Sequence, residues 1–331
     1  MTRPDNSHNP RLSVVVVIVS DTIDPRSNVF HLTACLEALA QQSEPPAMEI
    51  IVPYHPRTEG IENLKVRFPT VVFLRADNLT TFRIQVGSRE HHDELRARGL
   101  ATARGEIVGL LEDHARPDPH WCARVVEAHR QGYAAIGGAI ENGIDRTLNW
   151  AVYFCDFYKY QNPVPDGESP FVSDANVSYK RSVLESIRPT WKEIFHETAV
   201  NWALTSRRQK LALSPKIIVY QHRSHLQLGS AVKERFIWGR SYAATRSKLL
   251  SRARRMIYAL LSPFLPGVLL LRMTLSVMKK GRCVSAFLKA LPLTAMLALS
   301  WSLGELIGYL TSRGDRFGTP AREAIAHSAG D

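Results

Sequence analysis

The 331-residue sequence has only four cysteines, Cys35, Cys122, Cys155 and Cys283, and no two of them form a CxxC pair. That spacing argues against a disulfide scaffold and a zinc knuckle, and it fits reduced thiols in a cytosolic domain. The first eleven residues are polar and hold no apolar secretory segment, so the first domain is expected to stay in the cytosol. Internal repeats and low-complexity stretches are also missing. Acidic residues are in deficit, 31 against 42 Lys and Arg, which leaves a net charge of +11. The excess is concentrated: residues 223–255 carry nine Lys or Arg and a single acid, Glu234. Such a cluster suits nucleic acid, anionic lipid headgroups or phosphorylated ligands. It abuts an apolar tail and contains no readable DNA motif, so nucleic acid is not expected as a partner.

What is present is ordinary for a globular protein, with 45% hydrophobic and 22% charged residues. The length allows one large domain, or a domain of roughly 240 residues with an appendage. Residues 12–19 form a valine-rich apolar run that reads as a strand buried on both faces. Helical spacing follows at 31–42, then short strands at 48–52 and 71–74. A helix at 93–104 leads into a strand at 107–111, and a helix at 119–131 leads into a strand at 134–138. Residues 153–170 read as a long loop, 173–179 as a strand, 195–208 as a helix and 216–220 as a last strand. Strands alternating with helices in this way predict an α/β fold, a mostly parallel sheet with helices on both faces. Such a sheet binds ligands at the carboxyl ends of its strands.

The composition changes after about residue 256. Residues 256–278 hold one charge, Arg272, and residues 291–310 hold one, Glu305. A bilayer core takes about 20 residues of helix, so each segment is long enough to cross it. Two crossings would place Lys279, Lys280, Arg282 and Lys289 on the far side, against the positive-inside tendency, and Pro263 and Pro266 interrupt the first segment. A re-entrant or in-plane hairpin therefore competes with two spans. A pair of helices buried in a soluble domain is the remaining alternative. The expected organisation is a catalytic domain at 1–245 and a basic linker with a hydrophobic membrane-associated hairpin at 246–331.

The most informative stretch runs through residues 103–119, where an apolar strand delivers Glu112-Asp113-His114 to its carboxyl end and a turn with two prolines follows. Taken alone, these residues could also be an acidic helix cap with a histidine. The stretch resembles the segment around the DxD motif of family 2 glycosyltransferases, which have the GT-A fold. Three later segments resemble that family in the same order: Ser173-Asp174-Ala175-Asn176-Val177-Ser178-Tyr179 as the acceptor-side strand, Phe195-His196-Glu197-Thr198 as the segment of the catalytic base, and Tyr220-Gln221-His222 as the late histidine. The resemblance spans roughly residues 12–245.

It implies transfer of a sugar from a nucleoside diphosphate donor to an acceptor hydroxyl, with inversion at the anomeric carbon. As the diphosphate leaves, its charge must be met by a divalent cation or by fixed Arg and Lys groups, and a carboxylate must take the acceptor proton. The implied roles place Glu112 at the nucleoside or ribose, and Asp113 and His114 at the diphosphate and a Mn²⁺ or Mg²⁺ ion. His222 would be a further metal ligand and Glu197 the base, with Asp113 part of the catalytic set. From the helix before the Glu112-Asp113-His114 strand Arg98 could approach the diphosphate, and Arg240 reads equally as a phosphate or acceptor contact and as part of a helix face on lipid headgroups. Three departures stand out. His114 replaces the last aspartate of DxD, Thr198 takes the place where the family often has its acting aspartate, and the second strand ends Pro53-Tyr54-His55 without an aspartate, leaving Tyr54 to stack on the base. A membrane-held enzyme with its catalytic domain on the cytoplasmic face of the inner membrane would act on a glycan or lipid-linked acceptor. A nucleotidyltransferase of similar fold is disfavoured, because Val19-Ser20-Asp21-Thr22 offers no glycine-rich loop. A membrane scaffold whose catalytic motif has decayed is the non-enzymatic alternative.

Overall fold

The computed structural model describes residues 10–19, 29–83, 89–247 and 250–311. Of the segment 19–22, everything after Val19 lies outside these residues. The strands are β1 (Leu12–Val17), β2 (Met48–Tyr54), β3 (Val72–Arg75), β4 (Ile107–Glu112), β5 (Ala115–Pro117), β6 (Ala135–Asn142), β7 (Gly167–Glu168), β8 (Asn176–Lys180) and β9 (Leu211–Gln221). The helices are α1 (Phe30–Ala40), α2 (Ile61–Arg67), α3 (Arg89–Thr102), α4 (Trp121–Ala128), α5 (Thr147–Phe157), α6 (Arg181–Ser186), α7 (Arg188–Trp191), α8 (Glu197–Ser206), α9 (Leu228–Ser247), α10 (Arg252–Leu261), α11 (Leu265–Lys280) and α12 (Val284–Thr311).

Among the described residues the strands form one sheet in the order β3-β2-β1-β4-β8-β6-β9-β5, with β7 beside β9. The first four are parallel to one another, and the β4–β8, β6–β8, β5–β9 and β7–β9 pairs are antiparallel. The valines of β1 explain the layering. Val14 and Val16 join a core with Leu32, Cys35 and Leu36 of α1 and Trp121, Cys122 and Val125 of α4. Val15 points the other way, because alternate residues of a strand face opposite sides. There it meets α3 so closely that a Cβ at Gly99 would lie 2.4 Å from Val15 Cγ1. Helices thus cover both faces of this α/β sheet, consistent with a GT-A-like fold. Burying each such side chain contributes about 1.5–3 kcal/mol.

Contacts divide the chain into two compact units. Among the described residues, one comprises those within 10–140 and 162–222, and the other those within 141–161 and 223–311. This differs from a single boundary at 245, because 141–161 groups with the C-terminal helices. The same stretch corrects the expected loop at 153–170. Trp150, Tyr153, Phe154 and Phe157 recur every three or four residues, which places them on one face of α5, and Trp150 stacks on Phe154 with centroids 5.6 Å apart. In the second unit, two helical stretches, Arg252–Lys280 and Val284–Thr311, are long and apolar enough to cross a membrane by length and composition.

His129 fixes one pH response of the first unit. It is 5% exposed and its Nε2 lies 2.9 Å from Ser178 Oγ. Burial, helped by the charge of Lys180, lowers its pKa from 6.5 to about 4. The unfolded chain therefore binds the proton first, so the stabilisation is complete above pH 6.5 and is lost as pH falls towards 4. The loss is on the order of 3 kcal/mol. Urea midpoints measured across that window should fall less steeply for His129→Gln than for the wild type, and parallel curves would contradict the assignment.

Candidate functional site

The site lies where the parallel strands end. Val17 of β1 pairs with Glu112 of β4 as the last step of their ladder. The chain then turns through Asp113 and His114 into β5. Asp113 is fully buried; its N–H donates to Val17 O at 2.9 Å, and its Oδ1 accepts from Val19 N–H at 3.0 Å. His114 stands between the two acids, with Nε2 3.2 Å from Glu112 Oε2 and Nδ1 3.5 Å from Asp113 Oδ1. Burial opposes a charge on this ring, but the adjacent Asp113 and Glu112 carboxylates outweigh it and raise the pKa to about 9. His114 is thus an imidazolium at neutral pH.

The antiparallel pairing of β5 with β9 brings His222 to the same place. Ala115 pairs with Gln221, and His222 N–H donates to His114 O at 2.8 Å. Burial, then the charges of Arg116, His114 and His31, lower the His222 pKa to about 4, so this ring is neutral. His31, from the start of α1, places its ring centroid 6.5 Å from that of His114.

On the other side of Glu112 sits a guanidinium that sequence reading missed. Arg96 of α3 is 4% exposed and touches three carboxylates: Asp93 Oδ1 at 2.9 Å, Glu112 Oε1 at 3.3 Å and Asp174 Oδ2 at 3.3 Å. Burial disfavours the charge on Arg96, but the surrounding acids hold its pKa above the ordinary value. Asp174 in turn joins Glu197, the first residue of α8: its N–H donates to Glu197 Oε2 at 3.1 Å. Burial raises the pKa of Glu197 well above its usual range, and the adjacent charge of Asp174 raises it further. For Asp174, burial is again the largest single influence, but Arg96, Glu197 and Arg89 together keep it below its ordinary value. The two carboxyl groups titrate as a pair, with burial and the neighbouring acid holding Glu197 high and Arg96 and Arg89 holding Asp174 low.

The structure thus links Glu112, Asp113, His114, His222 and Glu197 in one network and adds Arg96, Asp93 and Asp174. Other expected contributors lie elsewhere. Tyr54 is 4% exposed in the core beneath the ammonium of Lys65, whose Nζ donates to its hydroxyl at 3.2 Å, which leaves little ring face for a base. Arg98 pairs with Glu94 at 3.3 Å and reaches Asn78 O, not the Glu112 group. Arg104 closes a fork on Glu49 and is structural. Arg240 is on α9 of the second unit. His91 and His92 are both buried, with centroids 6.1 Å apart.

The donor set bears on the expected cation. Asp113 Oδ1 accepts from Val19 N–H, and the Glu112 oxygens face Arg96 and His114. Among the described residues no group of three or more His, Cys, Asp or Glu side chains is set to hold a metal ion. In this arrangement Glu112 lies between Arg96 and His114, which supply the positive charge beside it.

An open α/β sheet commonly takes its ligand at the carboxyl ends of its strands, and this charged network lies there. The family described as Glycosyl transferase family 2 matches residues 83–188, a span that includes Asp93, Arg96, Glu112, Asp113, His114 and Asp174. That similarity supports a glycosyltransferase activity in general. No curated protein matches the chain.

Proposed function

We propose that this protein is an inverting glycosyltransferase. It would move a sugar from a nucleoside diphosphate donor to an acceptor hydroxyl at the cytoplasmic face of the inner membrane, in the synthesis of a cell-envelope or lipid-linked glycan. The observation that carries this reading is the Asp174–Glu197 carboxyl pair beside the Arg96–Glu112–His114 ion network, at the end of a strand within the matched span.

The chemistry asks three things of these residues. The acceptor oxygen forms a bond to the anomeric carbon as the bond from that carbon to the diphosphate oxygen breaks. The acceptor proton passes to the Glu197–Asp174 carboxyl pair, which would act together as the base. The electron pair of the broken bond leaves on the diphosphate, where the imidazolium of His114 and the guanidinium of Arg96 offer fixed positive charge. Glu112, held between those two cations, would meet the nucleoside or ribose.

His114→Ala removes one of these charges and should lower transfer at least tenfold; unchanged activity would take His114 out of the reaction. The test of the whole reading is a screen of nucleoside diphosphate sugars for binding and for hydrolysis or transfer, in EDTA and with Mn²⁺ or Mg²⁺. Turnover of one donor with an inverted product is expected. Binding without turnover of any donor would favour a scaffold, and no binding would end the proposal.

A further inference from the structure

The surface of the second unit carries a stripe that the sugar chemistry does not use. Along α10, the following turn and α11, Ile257, Leu260, Leu261, Phe264, Val268, Leu271, Leu275 and Met278 recur at intervals of mostly three or four residues, and all are 42–72% exposed. The opposite face, Ala259, Ser262, Met273 and Val277, is buried. One continuous apolar face of about six turns is therefore left uncovered. Its surroundings have one sign of charge. Between Glu234 and Glu305 the sequence contains no Asp or Glu, while Arg252 and Arg254 at one end and Lys279, Arg282 and Lys289 at the other are exposed. Apolar side chains flanked by exposed cations match the boundary between the acyl chains and the headgroups of an anionic bilayer.

Two further observations oppose a crossing. The turn joining α11 to α12 is tied to residues 141–161. Lys280 Nζ donates to Tyr158 O at 3.1 Å and Lys159 O at 3.1 Å, and also to Gln161 O, and Arg282 Nη1 lies 2.9 Å from Glu141 Oε1. Glu141 belongs to strand β6, so chain continuity keeps this turn on the side of the membrane where the sheet is. In addition, α12 packs along α9 so closely that a Cβ at Gly239 would lie 2.2 Å from Trp301 O and one at Gly304 2.1 Å from Phe236 O. Were α12 to cross, α9 would be carried in with Lys233, Glu234, Arg235 and Arg240, whose charges make that costly.

We propose that α10 and α11 lie in the plane of an anionic lipid surface, with Phe264 and Leu271 in the acyl boundary, and that neither α11 nor α12 spans the bilayer. This does not rest on the sugar-transfer reading. The test uses the full chain and vesicles of phosphatidylcholine alone or with phosphatidylglycerol added. Partitioning should be at least tenfold stronger on the anionic vesicles and should weaken with salt. Phe264→Asp/Leu271→Asp should lose at least tenfold in partitioning at unchanged Tm, since both side chains are exposed. In a Cys283→Ser background, cysteines introduced at Ser285 and at Thr147 should react with an impermeant maleimide from the same side of native membranes. Reaction from opposite sides overturns the proposal. So does binding indifferent to phosphatidylglycerol, or a doubly substituted chain that changes oligomeric state but not vesicle binding.

Discussion

Glu197→Gln and Asp174→Asn should each lower kcat by two orders of magnitude or more while leaving donor affinity near the wild-type value. A positioned carboxylate that takes a proton in the transition state contributes about 10²–10⁴-fold, and both substitutions preserve shape while removing proton affinity. The two differ in one respect. The charge of Asp174 helps to raise the pKa of Glu197, so removing that charge lets Glu197 ionise at lower pH. Residual transfer by Asp174→Asn should therefore have its acid limb set by Glu197 alone, below that carboxyl's wild-type pKa. In Glu197→Gln the acid limb belongs to Asp174, which Arg96 and Arg89 still hold low. Profiles of kcat against pH, with donor binding measured in parallel, check both statements. Wild-type turnover in either variant would show that the proton goes elsewhere.

How much of this was legible follows from what periodicity can report. The valines of β1 announced a strand buried on both faces, and an apolar strand ending in three polar residues announced where Glu112, Asp113 and His114 would emerge. The nearness of His222 to His114 was implied only by resemblance; the antiparallel pairing of β5 with β9 that creates it leaves no local mark in a three-residue strand. Helix α3 was the larger miss. Residues 89–96, Arg-Glu-His-His-Asp-Glu-Leu-Arg, have the composition of a solvated face, yet His91, His92, Asp93, Glu94 and Arg96 are each at most 4% exposed. Opposite charges three or four residues apart, Asp93 with Arg96 and Glu94 with Arg98, are the local signal. That signal is identical for a pair in water and a pair in a core. What decides is the company from distant parts of the chain: Glu112 and Asp174 for Arg96, and the N–H groups of Thr80 and Thr81 for Glu94. Asp174 escaped notice for the same reason, since its role depends on Glu197, 23 residues later. The aromatic spacing of α5 was readable and was masked by the prolines and acids that follow it.

Arg96→Met should be the most destabilising single substitution in the site. Removing one partner of a buried ion pair commonly costs about 3–5 kcal/mol, because the opposite charge stays buried without compensation. Here three carboxylates would lose the same partner. Asp93 shows how finely the balance stands: burial raises its pKa to about 6 even with Arg96 at 2.9 Å and Arg89 nearby. Without Arg96 that pKa rises further. An acid whose folded pKa lies above its unfolded value stabilises the fold when protonated, so its contribution is present at low pH and is lost as pH rises through the folded pKa. The deficit of Arg96→Met against the wild type should therefore be larger at pH 8 than at pH 5.5. Arg96→Lys keeps the charge but has no planar fork to meet Asp93, Glu112 and Asp174 together, and should fall between the two. Urea unfolding of the three proteins at both pH values measures this. Equal midpoints for Arg96→Met and wild type at pH 8 would mean that water, not Arg96, neutralises the cluster, and the electrostatic basis for a donor site at these strand ends would go with it.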